Sequence, residues 1–348
     1  FRRLVGTIHE QGLMRHTGKT VATILLASLL AACENPPAWG DQNAIIAITS
    51  DDQWAAVGEM VESALETTIV TVRAEKTFRV THQAPMGQGW GNLQRFRKLL
   101  LIGAADSPWM VDALALSGRE SFNPPEIFQV EDVWAKGQTA TVLLLPSEGA
   151  DRAEEMMEPL HELLDSQYRT YVLNRMFMSG LDSLLADTLW NEAGFTLLLP
   201  LLYERRTVDS VHIFLNDNPD PSELIRQITV TWRSPIPEEL DEEELLAWRE
   251  GLTERYFRYP QVVDLQLADR SRLQMGDLVF EELRAVWANP PEDQFPAGGP
   301  MITWSVPCPE QDRHYLVDAW LYAPGKDKYE YVLQLETILG TFRCRGAA

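Results

Sequence analysis

Leu278–Trp287 (LVFEELRAVW), Met301–Val306 (MITWSV) and Tyr315–Tyr322 (YLVDAWLY) are three aliphatic and aromatic runs in close succession. Runs of this length and composition read as strands. Phe195–Leu199, Val211–Leu215 and Gln227–Trp232 precede them as three more. Between the two sets, Pro237–Glu244 supplies an acidic first turn that complements a helix dipole, and Leu245, Trp248, Leu252 and Tyr256 give that helix a buried face. A closing helix from about Lys326 sets Val332, Leu335, Leu339 and Phe342 on one side. Three strands, a helix, three strands and a helix favour an α+β domain with a largely antiparallel sheet.

Upstream the period is helical. Met157, Leu160, Leu164, Tyr168, Tyr171, Met178, Leu181, Leu185 and Leu189 form an apolar stripe, read as one long or broken helix over about 151–191. Gly180 marks its kink and Gly194 its end. Earlier still, Ala44–Thr49 is a buried strand, and Ser50, Asp51 and Asp52 cap a helix carrying Trp54, Val57, Val61 and Ala64. Thr77–His82 and Lys98–Ile102 are strands, and Ser107-Pro108 opens a short helix through Leu114. Ile127–Trp134 and Thr139–Leu145 flank a hairpin connection at Ala135–Gln138. The expected fold is α+β: mixed and antiparallel sheets packed with helices, in two α/β-type halves (44–192 and 193–348) joined by the long helix.

Ahead of these halves stands Met14–Cys33, MRHTGKTVATILLASLLAAC. A cationic head (Arg15, Lys19), a short apolar run and small closing residues are the parts of a secretory signal. The run is too short for a transmembrane span, which needs about 20 apolar residues. Leu30-Ala31-Ala32-Cys33 resembles the lipobox of bacterial lipoproteins, in which the cysteine receives a diacylglycerol. Residues 1–13 are expected to be a non-native upstream segment, 14–32 a signal peptide, and 33–43 a tether lipidated at Cys33. Glu34 does not match the aspartate that retains lipoproteins in the inner membrane, so the outer membrane is the expected location.

The 348 residues carry a net charge of −21. Arg2, Arg3, Arg15 and Lys19 against Glu10 give the segment before Glu34 a charge of +3, so subtraction leaves about −24 for the remainder. So acidic a body excludes nucleic acid, whose phosphates need clustered Lys and Arg. With 45% hydrophobic residues and 11 tryptophans, a sizeable core can be buried. Beyond Cys33, only Cys308 and Cys344 remain. In an oxidising compartment they could pair, but sequence alone does not bring their Cα atoms within the roughly 4.4–6.8 Å required.

No catalytic or metal motif emerges. Beyond the signal segment the histidines are His82, His161, His212 and His314, none at metal-ligand spacing. His161-Glu162 starts like HExxH, but the fifth position is Asp165. His212 lies in an apolar strand and reads as a hydrogen-bonded core histidine. Asn216–Asp220 lacks the spacing and glycine of a calcium loop. No cofactor is expected. The candidate ligand-binding residues are Trp134 and Gln138 on the hairpin, with Gly298, Gly299 and Tyr322 in the C-terminal half. All are placed on exposed loops, where glycine lets a ligand approach the backbone or simply makes a tight turn.

Gly298–Trp304, Val317–Lys326 with the following amphipathic helix, Asp51–Trp54, Arg97–Ile102 and Trp134–Gln138 together resemble a domain-of-unknown-function family of bacterial lipoproteins. The resemblance implies a Gram-negative envelope lipoprotein and brings no activity and no catalytic residues. The expected function is a lipid-anchored, non-enzymatic binding or scaffolding protein with an envelope protein or glycan as partner and its N-terminal lipid in a membrane. The alternative is a lipid-anchored hydrolase acting on envelope polymers through a carboxylate pair.

Overall fold

The computed structural model describes residues 35–86, 89–147, 150–218, 223–237, 240–276, 278–293 and 296–346. The signal segment, Cys33 and Glu34 lie outside these residues. The chain divides into two compact units, 35–57 with 81–153, and 58–80 with 154–346.

In the first unit, β1 (Ala44–Ile48) is followed by α1 (Asp51–Leu65), whose first seven residues belong here and the rest to the second unit. Ser50 Oγ accepts a hydrogen bond from the Gln53 amide at 3.3 Å, the expected cap. The short strands β2 (Thr68–Ile69) and β3 (Glu75–Lys76) pair with each other in the second unit. Then come β4 (Arg79–Gln83), α2 (Trp90–Leu93), β5 (Lys98–Gly103), α3 (Val111–Leu116), β6 (Glu126–Glu131) and β7 (Thr139–Leu144). The sheet order is β4-β1-β5-β7-β6. β1, β5 and β7 are parallel, in register at Ile46↔Leu99 and Leu99↔Ala140, and β6 returns antiparallel to β7. Continuous apolar runs suit parallel strands because both faces are covered. Ile48, Leu99, Leu101, Ala140, Val142 and Leu144 form that core. The helix expected from Ser107 starts at Val111, because Ser107 serves a preceding turn: its Oγ accepts from the Ala104 amide and its carbonyl from the Met110 amide.

A 3-10 turn over 150–156 crosses from the first unit into the second, and α4 (Met157–Met176) follows, whose Leu160, Leu164, Tyr168, Val172 and Met176 are buried. The helix breaks at Gly180 (φ +96°), resumes as α5 (Ser183–Thr188) and ends through a π-turn at Gly194 (φ +84°). The division therefore differs from the expected boundary at 192/193. α4 packs within the second unit, where Tyr168 stacks on Tyr329 and Arg169 contacts Glu336.

β8 (Phe195–Thr196), β9 (Glu204–Val208), β10 (Val211–Asn218), β11 (Leu224–Arg233), α6 (Glu242–Tyr256), β12 (Val262–Met275), β13 (Leu278–Ala288), β14 (Gly298–Cys308), β15 (Arg313–Tyr322), α7 (Tyr329–Leu339) and β16 (Arg343–Cys344) complete the chain. A seven-stranded antiparallel sheet runs β12-β13-β14-β15-β11-β10-β9. The fold is α+β with antiparallel and mixed sheets. β8 is shorter than the expected Phe195–Leu199: Leu197 and Leu199 stay buried, but the Leu198 amide donates to Thr341 Oγ1 instead of a strand.

Period-two alternation gives this sheet two different faces. Tyr315, Val317, Ala319 and Leu321 join Val332, Leu335, Ile338 and Phe342 in one core. Leu316 and Trp320 face the other way, packed with α6 and the residues just after it. Cys308 and Cys344 form a disulfide with Cα atoms 6.5 Å apart, tying the end of β14 to β16. No helix among the described residues is long and apolar enough to cross a membrane.

Candidate functional site

The face carrying Trp320 is built by register. Trp320 on β15 lies opposite Met301 on β14 and Gln227 on β11, and Tyr322 lies opposite Ile225. Trp287 on β13 lies opposite Gly299. Trp287, Trp320, Ile225 and Tyr322 therefore share one side of three neighbouring strand pairs. Phe257 and Tyr259, following α6, lie against them.

Gly298 and Gly299 are not in a loop; they begin β14. A Cβ on Gly299 would sit 1.8 Å from the Leu321 carbonyl oxygen and 3.2 Å from Trp287 Nε1. What comes close to this backbone is therefore protein: the Trp287 indole crosses it and donates from Nε1 to the Leu321 carbonyl at 3.1 Å. The glycine seats the tryptophan, which corrects both the loop placement and the tight-turn alternative.

Beside this indole is a cavity of about 440 Å³ lined by Ile225, Tyr259, Trp287, Trp320 and Tyr322, with Glu223, Asn289, Asp293, Pro296 and Ala297 completing its wall. Trp287 and Trp320 meet edge to face, centroids 5.2 Å apart at 72°. Trp320 is 1% exposed and its Nε1 has no hydrogen-bond partner. Burial raises the pKa of Tyr322, and the Glu223 carboxylate that takes its hydroxyl proton in a hydrogen bond raises it further. Tyr322 thus stays protonated at physiological pH. Among the described lining residues none is Lys, Arg or His. The site offers flat apolar rings and carboxylate acceptors.

Trp134 and Gln138 lie in the first unit and serve structure. Gln138 is fully buried; its Nε2 donates to the Gln94 and Phe96 carbonyls at 2.6 and 2.7 Å, and its Oε1 accepts from the Trp134 amide. Trp134 Nε1 donates to Asp112 and its ring meets Trp90 edge-on. Gln138 clamps its own turn and has no group left for a ligand, which corrects its placement on an exposed loop.

Outside the cavity, two buried carboxylates are engaged, while His161 Nδ1, Tyr203 OH, Arg226 Nε, Gln261 Nε2, Asp318 Oδ2 and His314 Nδ1 make no hydrogen bond among the described residues. Asp318 accepts from Arg249 Nε at 2.7 Å and from Thr303 Oγ1 at 2.6 Å, and Glu282 holds Arg284 and Trp304 Nε1. Ser305 Oγ and His314 Nε2 are 2.8 Å apart, but His314 Nδ1 meets no carboxylate and neither residue lines the cavity. His212 is buried between Phe195 and Trp232, as a core histidine should be. No group of metal-ligating side chains occurs among the described residues.

Residues 183–341 match a family described as a domain of unknown function, DUF4837. Every residue of the cavity falls inside the DUF4837 segment. No curated protein matches the sequence. Among solved structures, the Ran-binding protein Mog1p of Saccharomyces cerevisiae is similar at 12% identity, over 43% of this chain and 90% of its own, with a TM-score of 0.31. CyanoP, the cyanobacterial PsbP of Synechocystis sp. PCC 6803, is similar at 11% identity, over 43% and 86%, with a TM-score of 0.27. At these scores the likenesses carry no functional argument.

Of the residues expected from sequence, Tyr322 lines the cavity and Gly299 seats one of its walls. Trp287, Trp320, Tyr259, Glu223, Asn289 and Asp293 were not anticipated. The available signal was the alternation Asp318, Trp320, Tyr322, which puts three functional side-chain types on one strand face.

Proposed function

We propose that this protein is a lipid-anchored, non-enzymatic binding protein of the Gram-negative cell envelope, tethered through Cys33 to the outer membrane, and that it holds a small ligand in the aromatic cavity of the DUF4837 segment. The observation that carries the binding half is the cavity of about 440 Å³ walled by Tyr259, Trp287, Trp320 and Tyr322, with the Glu223 and Asp293 carboxylates beside the rings. Small-molecule sites are concave and mostly apolar with a few polar groups, and this cavity has that size and that lining. The anchor rests on the leader sequence and on Leu30–Cys33. Two or more acyl chains give stable attachment without a protein span.

The test uses the full chain, immobilised and exposed to the small-molecule fraction of an envelope digest, with the eluate read by mass spectrometry. The expected result is a compound retained by the wild type, lost with Tyr322→Ala, and returned chemically unchanged. Equal retention by both forms overturns the cavity as the site, and a cleaved product supports the hydrolase alternative instead. In the same cells, Cys33→Ser is expected to move the processed chain out of the membrane fraction.

A further inference from the structure

We infer that the tip formed by residues 178–184 and 200–203 rests on a phospholipid bilayer, a contact of the folded chain that is additional to the acyl anchor proposed above and independent of it. Two tight turns meet there. The Gly180 amide donates to the Phe177 carbonyl at 2.9 Å and the Tyr203 amide to the Pro200 carbonyl at 3.1 Å. The Leu201 amide donates to the Gly180 carbonyl at 3.0 Å and the Asp182 amide to the Leu199 carbonyl at 2.9 Å, which sets the two segments side by side. Turns ordinarily carry Gly, Pro, Asn, Asp or Ser. Here the central residues of the second turn are Leu201 and Leu202, 56% and 59% exposed, and the first turn presents Met178, 83% exposed. Leu181 pairs with Pro200, and Leu184, 77% exposed, follows in the first turn of α5. A gathering of exposed apolar side chains marks a surface of interaction. Among the described residues the next such group, Val262, Leu265 and Leu267 on β12, is smaller.

The chemistry of the tip favours lipid over protein. A protein interface brings about one hydrogen bond per 100–200 Å², whereas these side chains are apolar and the amides and carbonyls just named are already paired with one another. Hydrocarbon penalises an unpaired backbone group, so a tip that pairs its own can enter it. Asp182, the carboxylate between Leu181 and Leu184, is committed as a helix cap to the Leu185 amide at 2.9 Å. Charge agrees one level up. Arg205 begins three residues beyond Leu202, about 10 Å along the extended chain, and Arg206 follows. Their guanidinium groups donate to neutral oxygens, Thr207 Oγ1 and the Tyr256 carbonyl. With the leucines sunk roughly 5–10 Å into the boundary between headgroups and acyl chains, these arginines stand at the level of the phosphates. Glu204 sits beside them and the whole chain carries −21, so hydrophobic contact rather than charge holds the tip. Such contact is reversible and washes off; stable attachment needs acyl chains.

The test uses the chain from residue 33 onward with Cys33→Ser, which removes the leader's own apolar run and any acyl chain and keeps every described residue. It is sedimented with phosphatidylcholine vesicles at millimolar lipid. The chain is expected to pellet with the vesicles, about equally at low and high salt. Leu201→Ser with Leu202→Ser is expected to weaken partitioning about tenfold, and Leu265→Ser with Leu267→Ser to leave it unchanged. All four residues are exposed, so circular dichroism is expected to stay the same in both variants. A chain that stays in the supernatant, binding that salt abolishes, or tip and β12 variants that bind alike overturns the inference. Self-association lost with the tip pair, without vesicle binding, overturns it in favour of a second copy of the chain. The acyl anchor is decided separately, by the membrane fractionation of Cys33→Ser in cells.

Discussion

Gly299 shows how a single residue can decide a site. Its missing side chain is what lets Trp287 lie across β14 and reach the Leu321 carbonyl. Gly299→Ala puts a methyl group 1.8 Å from a backbone oxygen that cannot rotate away. The expected loss is about 3 kcal/mol or more of unfolding free energy, measured by urea titration, because the strands must separate to admit it. His212 supplies a pH dependence. Burial lowers its pKa, with a smaller contribution from Arg205, to about 4. Thr207 Oγ1 lies 3.3 Å from its Nδ1. The unfolded chain then binds the extra proton between pH 6.5 and about 4, so this contribution is full above pH 6.5 and is lost as pH falls through that window. It amounts to roughly 3 kcal/mol. The melting temperature of the wild type is expected to fall more steeply from pH 7.5 to 5 than that of His212→Gln; parallel curves would refute the assignment.

At the scale of elements, α6 is fixed to the sheet by one buried pair. Arg249 is 1% exposed and Asp318 not at all; Arg249 also donates to Gln261 Oε1 at 2.7 Å, which holds the chain just beyond the helix. That segment carries Tyr259 into the cavity wall. Arg249→Met leaves Asp318 buried without its cation and is expected to cost about 3–5 kcal/mol in denaturant unfolding, most of it recovered by adding Asp318→Leu. A double variant as unstable as the single one would show that packing, not charge, sets the loss. The elements also differ in how legible they were. β13, β14 and β15 are long buried strands whose composition announces them. β12 is polar, VVDLQLADRSRLQM, largely exposed, and at the sheet edge. It exists because β13 offers it a ladder of backbone hydrogen bonds, and its charges suit an edge that must not recruit another strand.

Across the whole molecule, the two units are built on different logics, a parallel-centred sheet in one and a seven-stranded antiparallel sheet in the other. The sequence by itself determined the α+β class, most helices and strands, the break at Gly180, the net charge of −21, and the leader-like stretch Met14–Cys33 from which anchoring is proposed. These follow from periodicity, capping and composition, which are local. Only the tertiary structure decided that β13, β14 and β15 lie side by side, that Cys308 meets Cys344, that Gln138 is a buried clamp, and that Trp287, Trp320, Tyr322 and Glu223 enclose one cavity. Those neighbours are far apart along the chain. Register and sheet order bring them together, and neither is written in the spacing of any one segment.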